Sequence, residues 1–77
     1  MAKKDIRIKK LEQKGESFLV ERSYPKFYHT EYVVALNYDF KSNTYSDGFI
    51  INSLPQAYLV FNDLVNKGVS IFAPRGE

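Results

Sequence analysis

The chain carries a single imidazole, His29, two residues from a carboxylate, Glu31, and next to a phenol, Tyr28. Imidazole is the side chain suited to trading protons near neutral pH. His29 beside Glu31 and Tyr28, or beside Arg22, is therefore the constellation from which a small nuclease-like acid–base site would be assembled. The plainer reading is a histidine in a polar loop making one hydrogen bond. The sequence has no cysteine, so the familiar zinc sets of thiolate and imidazole cannot be built within one chain, and only two copies could share one. Its serines and threonines lack the flanking glycines of a nucleophile elbow, and there is no glycine-rich phosphate loop. Asn43, Tyr45, Asp47 and Gly48 echo the opening of a calcium-binding loop. Tyr45, however, stands where an oxygen ligand is required, and Leu54 where a bidentate Glu belongs. No metal and no cofactor is expected.

Binding surfaces are better represented than catalytic groups. The segment Tyr24, Pro25, Lys26, Phe27, Tyr28, His29 interleaves rings with a cation. Such a mixture can anchor a protein partner, for which Tyr24, Phe27, Tyr28, Tyr32 and the isolated Leu59 are the candidates. It can also stack bases beside phosphates, or fold its rings back over a sheet edge. The nucleic-acid candidates are the basic residues of the first 26 positions: Lys3, Lys4, Arg7, Lys9, Lys10, Lys14, Arg22 and Lys26. They stand against Asp5, Glu12, Glu16 and Glu21, leaving that half at +4 and the remainder at −2 for an overall +2. A phosphate-binding patch and a lysine-protected strand edge both fit this distribution.

These residues need elements to position them. Ile6 and Ile8 alternate with Asp5, Arg7 and Lys9, which predicts a first strand over about 5–11. The polar stretch 13–16 with Gly15 predicts a hairpin into a second strand carrying Phe18 and Val20, ended by Pro25, which lacks the N–H a ladder needs. Tyr32, Val34, Leu36, Tyr38 and Phe40 line one face of a third, central strand. A turn at 41–44 pairs it with a fourth, setting Phe40 against Tyr45, Leu36 against Phe49 and Val34 against Ile51. The Asp47–Gly48 dipeptide leaves room for a longer turn or a bulge there.

Ser53 followed by Gln56 is a capping-box pattern, Pro55 suits a first helical turn, and Gly68 a left-handed stop. A helix over 54–67 follows, with Leu54, Ala57, Tyr58, Phe61, Leu64 and Val65 on its apolar stripe and Leu59 among polar residues. Val69, Ile71 and Phe72 predict a short closing strand. The fold class is α+β: a small antiparallel sheet with one helix on one face, in the order β-β-β-β-α-β.

Gly48 and Phe49, then Ser53, Gln56, Ala57 and Phe61 on a helix, resemble the sheet-plus-helix arm-binding domains of phage integrases over the second half of the chain. The resemblance implies a sheet laid on DNA. The strands here depart from a basic surface, carrying Glu31, Asp39 and Asp47.

Seventy-seven residues make one domain, 1–77, with 1–4 and 74–77 expected to fray. Six Tyr and six Phe can fill a small core and leave rings outside. Small size, free strand edges and surplus rings together favour a homodimer. The charged start and the absence of any long apolar run predict no membrane span, and the lack of cysteine a cytoplasmic setting. The functional ranking is a non-catalytic protein-binding module first, an inhibitor or adaptor of the accessory kind found on phages and mobile elements. Nucleic-acid binding through the basic N-terminal hairpin is second, and a small nuclease-like enzyme third.

Overall fold

The computed structural model describes residues 6–72. They form an antiparallel meander of β1 (Arg7–Lys14), β2 (Ser17–Tyr24), β3 (His29–Leu36) and β4 (Asp47–Ile51), in sheet order β1-β2-β3-β4, followed by α1 (Leu54–Lys67). The expected α+β class, with one helix packed on one face of an antiparallel sheet, is the fold found. The segments 1–4 and 74–77, expected to fray, lie outside the described residues, as do Asp5, Lys3 and Lys4.

β1 runs on to Lys14 because the chain reverses at Gly15, whose φ of 60° sits at the first central position of a two-residue hairpin, where a type II′ turn calls for glycine. A register shift between Lys10 and Glu12 marks a bulge, and Leu11, within it, packs against the helix-side core. β2 ends at Tyr24, directly before Pro25.

α1 begins and ends where its sequence signals place it, although Gly68 closes it at φ 70° and ψ −153°, a region open essentially to glycine alone rather than the left-handed helical one expected. The Ser53 side chain accepts from the Gln56 N–H at 3.5 Å, and Gly68, with φ 70°, donates its N–H to the Leu64 carbonyl. Ala57, Phe61 and Leu64 are buried against Leu19, Val34 and Leu36 of β2 and β3. Leu54, Tyr58 and Val65, the flank of the same stripe, stay about one-third exposed, because the helix is a cylinder on a sheet and only its lowest side is covered.

Beyond Gly68 the chain forms a 3-10 segment, Gly68–Phe72, and the expected fifth strand is absent there. Ile71 and Phe72 fold back onto the helix-side core, with Phe72 stacked on Phe49 at 5.0 Å between centroids. β-prone residues make a strand only when an edge is within reach, and here burial under the end of α1 takes precedence.

The β3–β4 connection is the second departure. β3 begins three residues before Tyr32 and ends at Leu36, where Asn37 turns into the left-handed region at φ 55°. Leu36 pairs with Asp47, Val34 with Phe49 and Tyr32 with Ile51, two residues away from the expected register. The long loop between the strands closes on itself. The Asp39 N–H donates to the Thr44 carbonyl at 2.8 Å and the Asn43 N–H to the Asp39 carbonyl at 2.7 Å. The Asp39 carboxylate accepts from the Lys41 N–H at 3.1 Å and from the Ser42 hydroxyl at 3.0 Å.

That loop covers the sheet face opposite α1. Val20, Val33 and Ala35 on this second face are fully buried, with Tyr38, Phe18, Ile8 and Tyr45 packed around them. Tyr38 stacks on Tyr45 at 5.7 Å and contacts Phe40 at 4.9 Å, and Phe40 meets Phe18 edge-on at 5.8 Å. Gly48 lets this happen: a Cβ there would lie 2.8 Å from the Tyr45 ring and 2.7 Å from the Ala35 Cβ. The aromatic surplus thus builds a second core layer.

Candidate functional site

Strand parity assigns the chemistry-bearing residues to this second face. Leu19, Val34 and Leu36 point at α1, so Arg22 and Tyr24 on β2, and His29 and Glu31 on β3, point the other way. Register completes the arrangement, since Arg22 pairs with Glu31 and Tyr24 with His29. Glu31 Oε2 accepts from Arg22 Nε at 2.9 Å, from Arg22 Nη2 at 2.5 Å and from the Tyr24 hydroxyl at 3.1 Å. Glu31 Oε1 lies 3.3 Å from His29 Nε2, and the Tyr24 and His29 rings contact at 5.6 Å. Arg22 Nη1 donates to Asn43 Oδ1 at 3.1 Å, and the Tyr38 hydroxyl donates to the same oxygen. The network ties the β2–β3 hairpin to the loop that covers the sheet.

Its electrostatics are those of a satisfied, half-dry cluster. The Arg22 and Glu31 side chains are only 10% and 12% exposed. Burial alone would push the Glu31 carboxyl up. Hydrogen bonds from Arg22 and His29, with the Arg22 charge and the Tyr24 hydroxyl, outweigh burial and hold it below the ordinary carboxylate range. Burial likewise opposes the Arg22 charge, and Glu31 and the tyrosines more than restore it, leaving the guanidinium pKa raised. Burial raises the Tyr24 and Tyr38 phenols above their ordinary value despite the nearby Arg22. Among the described residues no buried side-chain nitrogen or oxygen lacks a partner.

The expected neighbours of His29 are thus partly assembled: Glu31 is in hydrogen-bond range and Arg22 is on the far side of that carboxylate. Tyr28 is not part of the group. It is 97% exposed and points away on the turn. Glu31 Oε2 is occupied by three donors, so the carboxylate orients and anchors its neighbours and has little capacity left to accept a substrate proton. His29 keeps 48% of its side chain exposed at the rim. Among the described residues no group of His, Asp or Glu is arranged to hold a metal ion.

Immediately beyond this cluster lies the hairpin tip. Pro25–Phe27 form a 3-10 turn closed by the Tyr28 N–H donating to the Pro25 carbonyl at 3.2 Å, with Tyr28 itself left-handed at φ 51°. Phe27 is 73% exposed, so two adjacent rings stand in solvent on a defined turn.

The other interface candidates disperse. Tyr24 is held in the polar cluster, Tyr32 packs against the helix-side core, and Leu59, 62% exposed, stands on the outward side of α1. The basic candidates disperse as well. Arg22 is buried and paired with Glu31, so it is not presented to phosphate. Arg7, Lys9, Lys10 and Lys14 are exposed along β1, but Glu12 lies among them, Lys9 pairs across to Glu21 and Lys10 donates to Gln13 at 2.8 Å. Lys26 sits within the tip turn.

Asn43 and Tyr38 were not recognisable as members of the polar cluster from sequence. The available signal was the small apolar pair Val33 and Ala35 on the second face, which demands a cover.

Among the described residues no helix is long and apolar enough to cross a membrane. No known protein family matches the sequence, and no curated protein or solved structure does so either.

Proposed function

We propose that this chain is a non-catalytic binding module that engages another protein through the tip of the β2–β3 hairpin, with Phe27 and Tyr28 as anchors. The observation carrying this reading is that two neighbouring aromatic residues are left 73% and 97% exposed on a turn the fold takes pains to fix. A Phe and a Tyr facing water contribute nothing to the core, and the left-handed Tyr28 is a conformation that costs roughly 1 kcal/mol or more for a non-glycine residue. The turn is stiffened by Pro25 and braced by the Arg22–Glu31–Tyr24–His29 cluster. Rings displayed in a fixed geometry lose little entropy when a partner closes on them, which is how aromatic anchors reach hot-spot strength. Such a compact, single-purpose surface suits an inhibitor or adaptor of the accessory kind carried by mobile elements, acting in a cytoplasmic setting. Catalysis is no part of this reading, because the carboxylate beside His29 is already committed to Arg22 and Tyr24.

The test is affinity capture from lysate of the source organism, with and without nuclease, comparing wild type with the Phe27→Ala/Tyr28→Ala double variant. Expected is a protein retained whether or not nucleic acid is digested, with affinity for the double variant reduced about 30-fold or more, the equivalent of about 2 kcal/mol. The thermal melt of the variant should be unchanged. Binding that survives loss of both rings overturns the assignment. So does tight low-salt binding of DNA or RNA that disappears on replacing Lys9 and Lys10 by Glu, which would put nucleic acid first.

A further inference from the structure

The two edges of the sheet are built differently. β1 carries Arg7, Lys9, Lys10, Glu12 and Lys14, all exposed, and is interrupted by the bulge at Leu11. Exposed charge and a bulge are the devices that stop an edge from pairing with another chain. β4, Asp-Gly-Phe-Ile-Ile, has no bulge in its pairing with β3 and no charge beyond its first position. Ile50 is 52% exposed, Phe49 is 38% exposed, and no strand lies outside β4 among the described residues.

Ladder alternation identifies the groups on that edge. The Asn37 N–H donates to the Glu16 carbonyl beside β2 at 2.9 Å, so the preceding residue, Leu36, turns its own N–H and C=O toward β4. By the same alternation Val34 and Tyr32 do likewise, and their partners Phe49 and Ile51 point back at β3. The N–H and C=O of Gly48 and Ile50 therefore face outward.

We infer that β4 is a self-association edge, pairing antiparallel with β4 of a second copy about a two-fold axis at Phe49. This pairing is independent of the hairpin tip. With Phe49 opposite its own copy, Gly48 of each chain meets Ile50 of the other, and each of those two pairs exchanges both of its backbone hydrogen bonds. All outward groups of Gly48 and Ile50 are then satisfied. Shape follows the same register. On the second face the Ile50 side chain crosses a glycine, beside the Tyr45 ring that already lies over Gly48. On the helix side the two Phe49 rings meet at the axis, each backed by Phe72. Asp47 falls opposite Ile51, so no like charges are opposed. The occupant is a second copy because the pentapeptide is complementary to itself in a register that leaves no outward donor or acceptor unused. A five-residue ribbon covers less than the roughly 800 Å² per partner of a standard stable complex, so association belongs in the upper micromolar range.

Sedimentation across micromolar to near-millimolar concentration should show wild type passing from monomer to dimer. Ile50→Lys should weaken dimerisation about tenfold or more while leaving the far-UV circular dichroism and the melt intact, since residue 50 is solvent-facing in the monomer. The chain has no cysteine, so a Phe49→Cys variant provides a separate readout. At a non-hydrogen-bonded pair the Cα atoms lie about 4.5 Å apart, within disulfide reach. It should cross-link under mild oxidation faster than a Phe27→Cys control. A monomer at every concentration overturns the inference. A dimer that Ile50→Lys leaves intact, with no preferential cross-link at residue 49, places the interface elsewhere and overturns it equally.

Discussion

Replacing Arg22 by Ala is the sharpest probe of the second face. The substitution removes two hydrogen bonds to Glu31, at 2.9 and 2.5 Å, and one to Asn43 at 3.1 Å. It leaves a carboxylate only 12% exposed with Tyr24 and His29 as its remaining partners. Breaking a buried pair from one side costs about 3–5 kcal/mol, because the surviving charge stays desolvated. At roughly 0.05–0.15 kcal/mol per residue, 77 residues supply about 4–12 kcal/mol in all. The variant should therefore lose between about a quarter of its margin and all of it.

Two companions separate charge from packing. Arg22→Met combined with Glu31→Leu removes both charges at similar volume and should recover at least half of the loss. The second companion is pH. Glu31 is held below its unfolded pKa, so its contribution is complete above about pH 4.3 and is lost as the pH falls through the lower folded value. In the Arg22→Ala protein the carboxyl no longer has the cation that lowered it, and acid relieves the buried charge. The stability gap to wild type must narrow as the pH is lowered toward about 3. Urea denaturation followed by circular dichroism at neutral and acid pH measures both effects. A loss below about 1 kcal/mol at neutral pH, or a gap that does not change with acid, would show that the Arg22–Glu31 pair is solvated and energetically idle.

Phe61→Ala should cost about 3–5 kcal/mol, because the ring is 3% exposed among Leu19, Val34, Leu36 and Leu64. Leu59→Ala, at 62% exposure on the outward side of α1, should stay within about 0.5 kcal/mol of wild type in the same denaturant melts. At the alkaline end, the Tyr24 and Tyr38 phenols are raised in the folded state. Stability is complete below about pH 10 and falls above it, as the unfolded chain ionises first. Tyr38→Phe should flatten that fall in melting temperature, and tyrosinate absorbance should lag in the folded wild type.

What the sequence disclosed, and what it withheld, follows the range of the interactions involved. The helix was legible to the residue because Ser53, Pro55, Gln56 and Gly68 act within a turn or two of where they stand. The β3–β4 register was not. A shift of two residues keeps Val34, Leu36, Phe49 and Ile51 on the helix side, so apolar alternation cannot tell Leu36–Phe49 from Leu36–Asp47. What decides it is the internal closure of the loop by Asp39. Tyr38 and Phe40, expected on that same face, lie on the opposite one because the strand stops at Leu36 and Asn37 turns the chain at φ 55°. The closing strand failed for a related reason, since β-propensity at Ile71 and Phe72 describes a preference for a surface, and the surface within reach was the core beside Phe49. The polar cluster was half legible. Arg22 and Glu31, and Tyr24 and His29, are equidistant from the centre of the Pro25–Tyr28 turn, so treating that segment as a hairpin turn places all four on one face. Asn43 enters from a loop remote in sequence, and no periodicity points to it.

The hairpin tip and the β4 edge constrain each other geometrically. The tip lies at the end of the sheet where β1 begins and β4 ends, since Tyr24 pairs with His29, Arg7 with Ser23 and Tyr32 with Ile51. The monomer is elongated, 41 × 25 × 24 Å. A two-fold axis through Phe49 reverses the strand direction of the second copy, so its Phe27 and Tyr28 emerge at the opposite end of the joined sheet. Such a dimer cannot close both tips on adjacent sites of one small partner, and it gains no effective concentration from that geometry. It can hold two partner molecules apart, or match a partner that is itself two-fold symmetric and long enough to span both ends. Self-association through β4 would thus turn the proposed binding tip into a bridge, with each tip as exposed in the dimer as in the monomer.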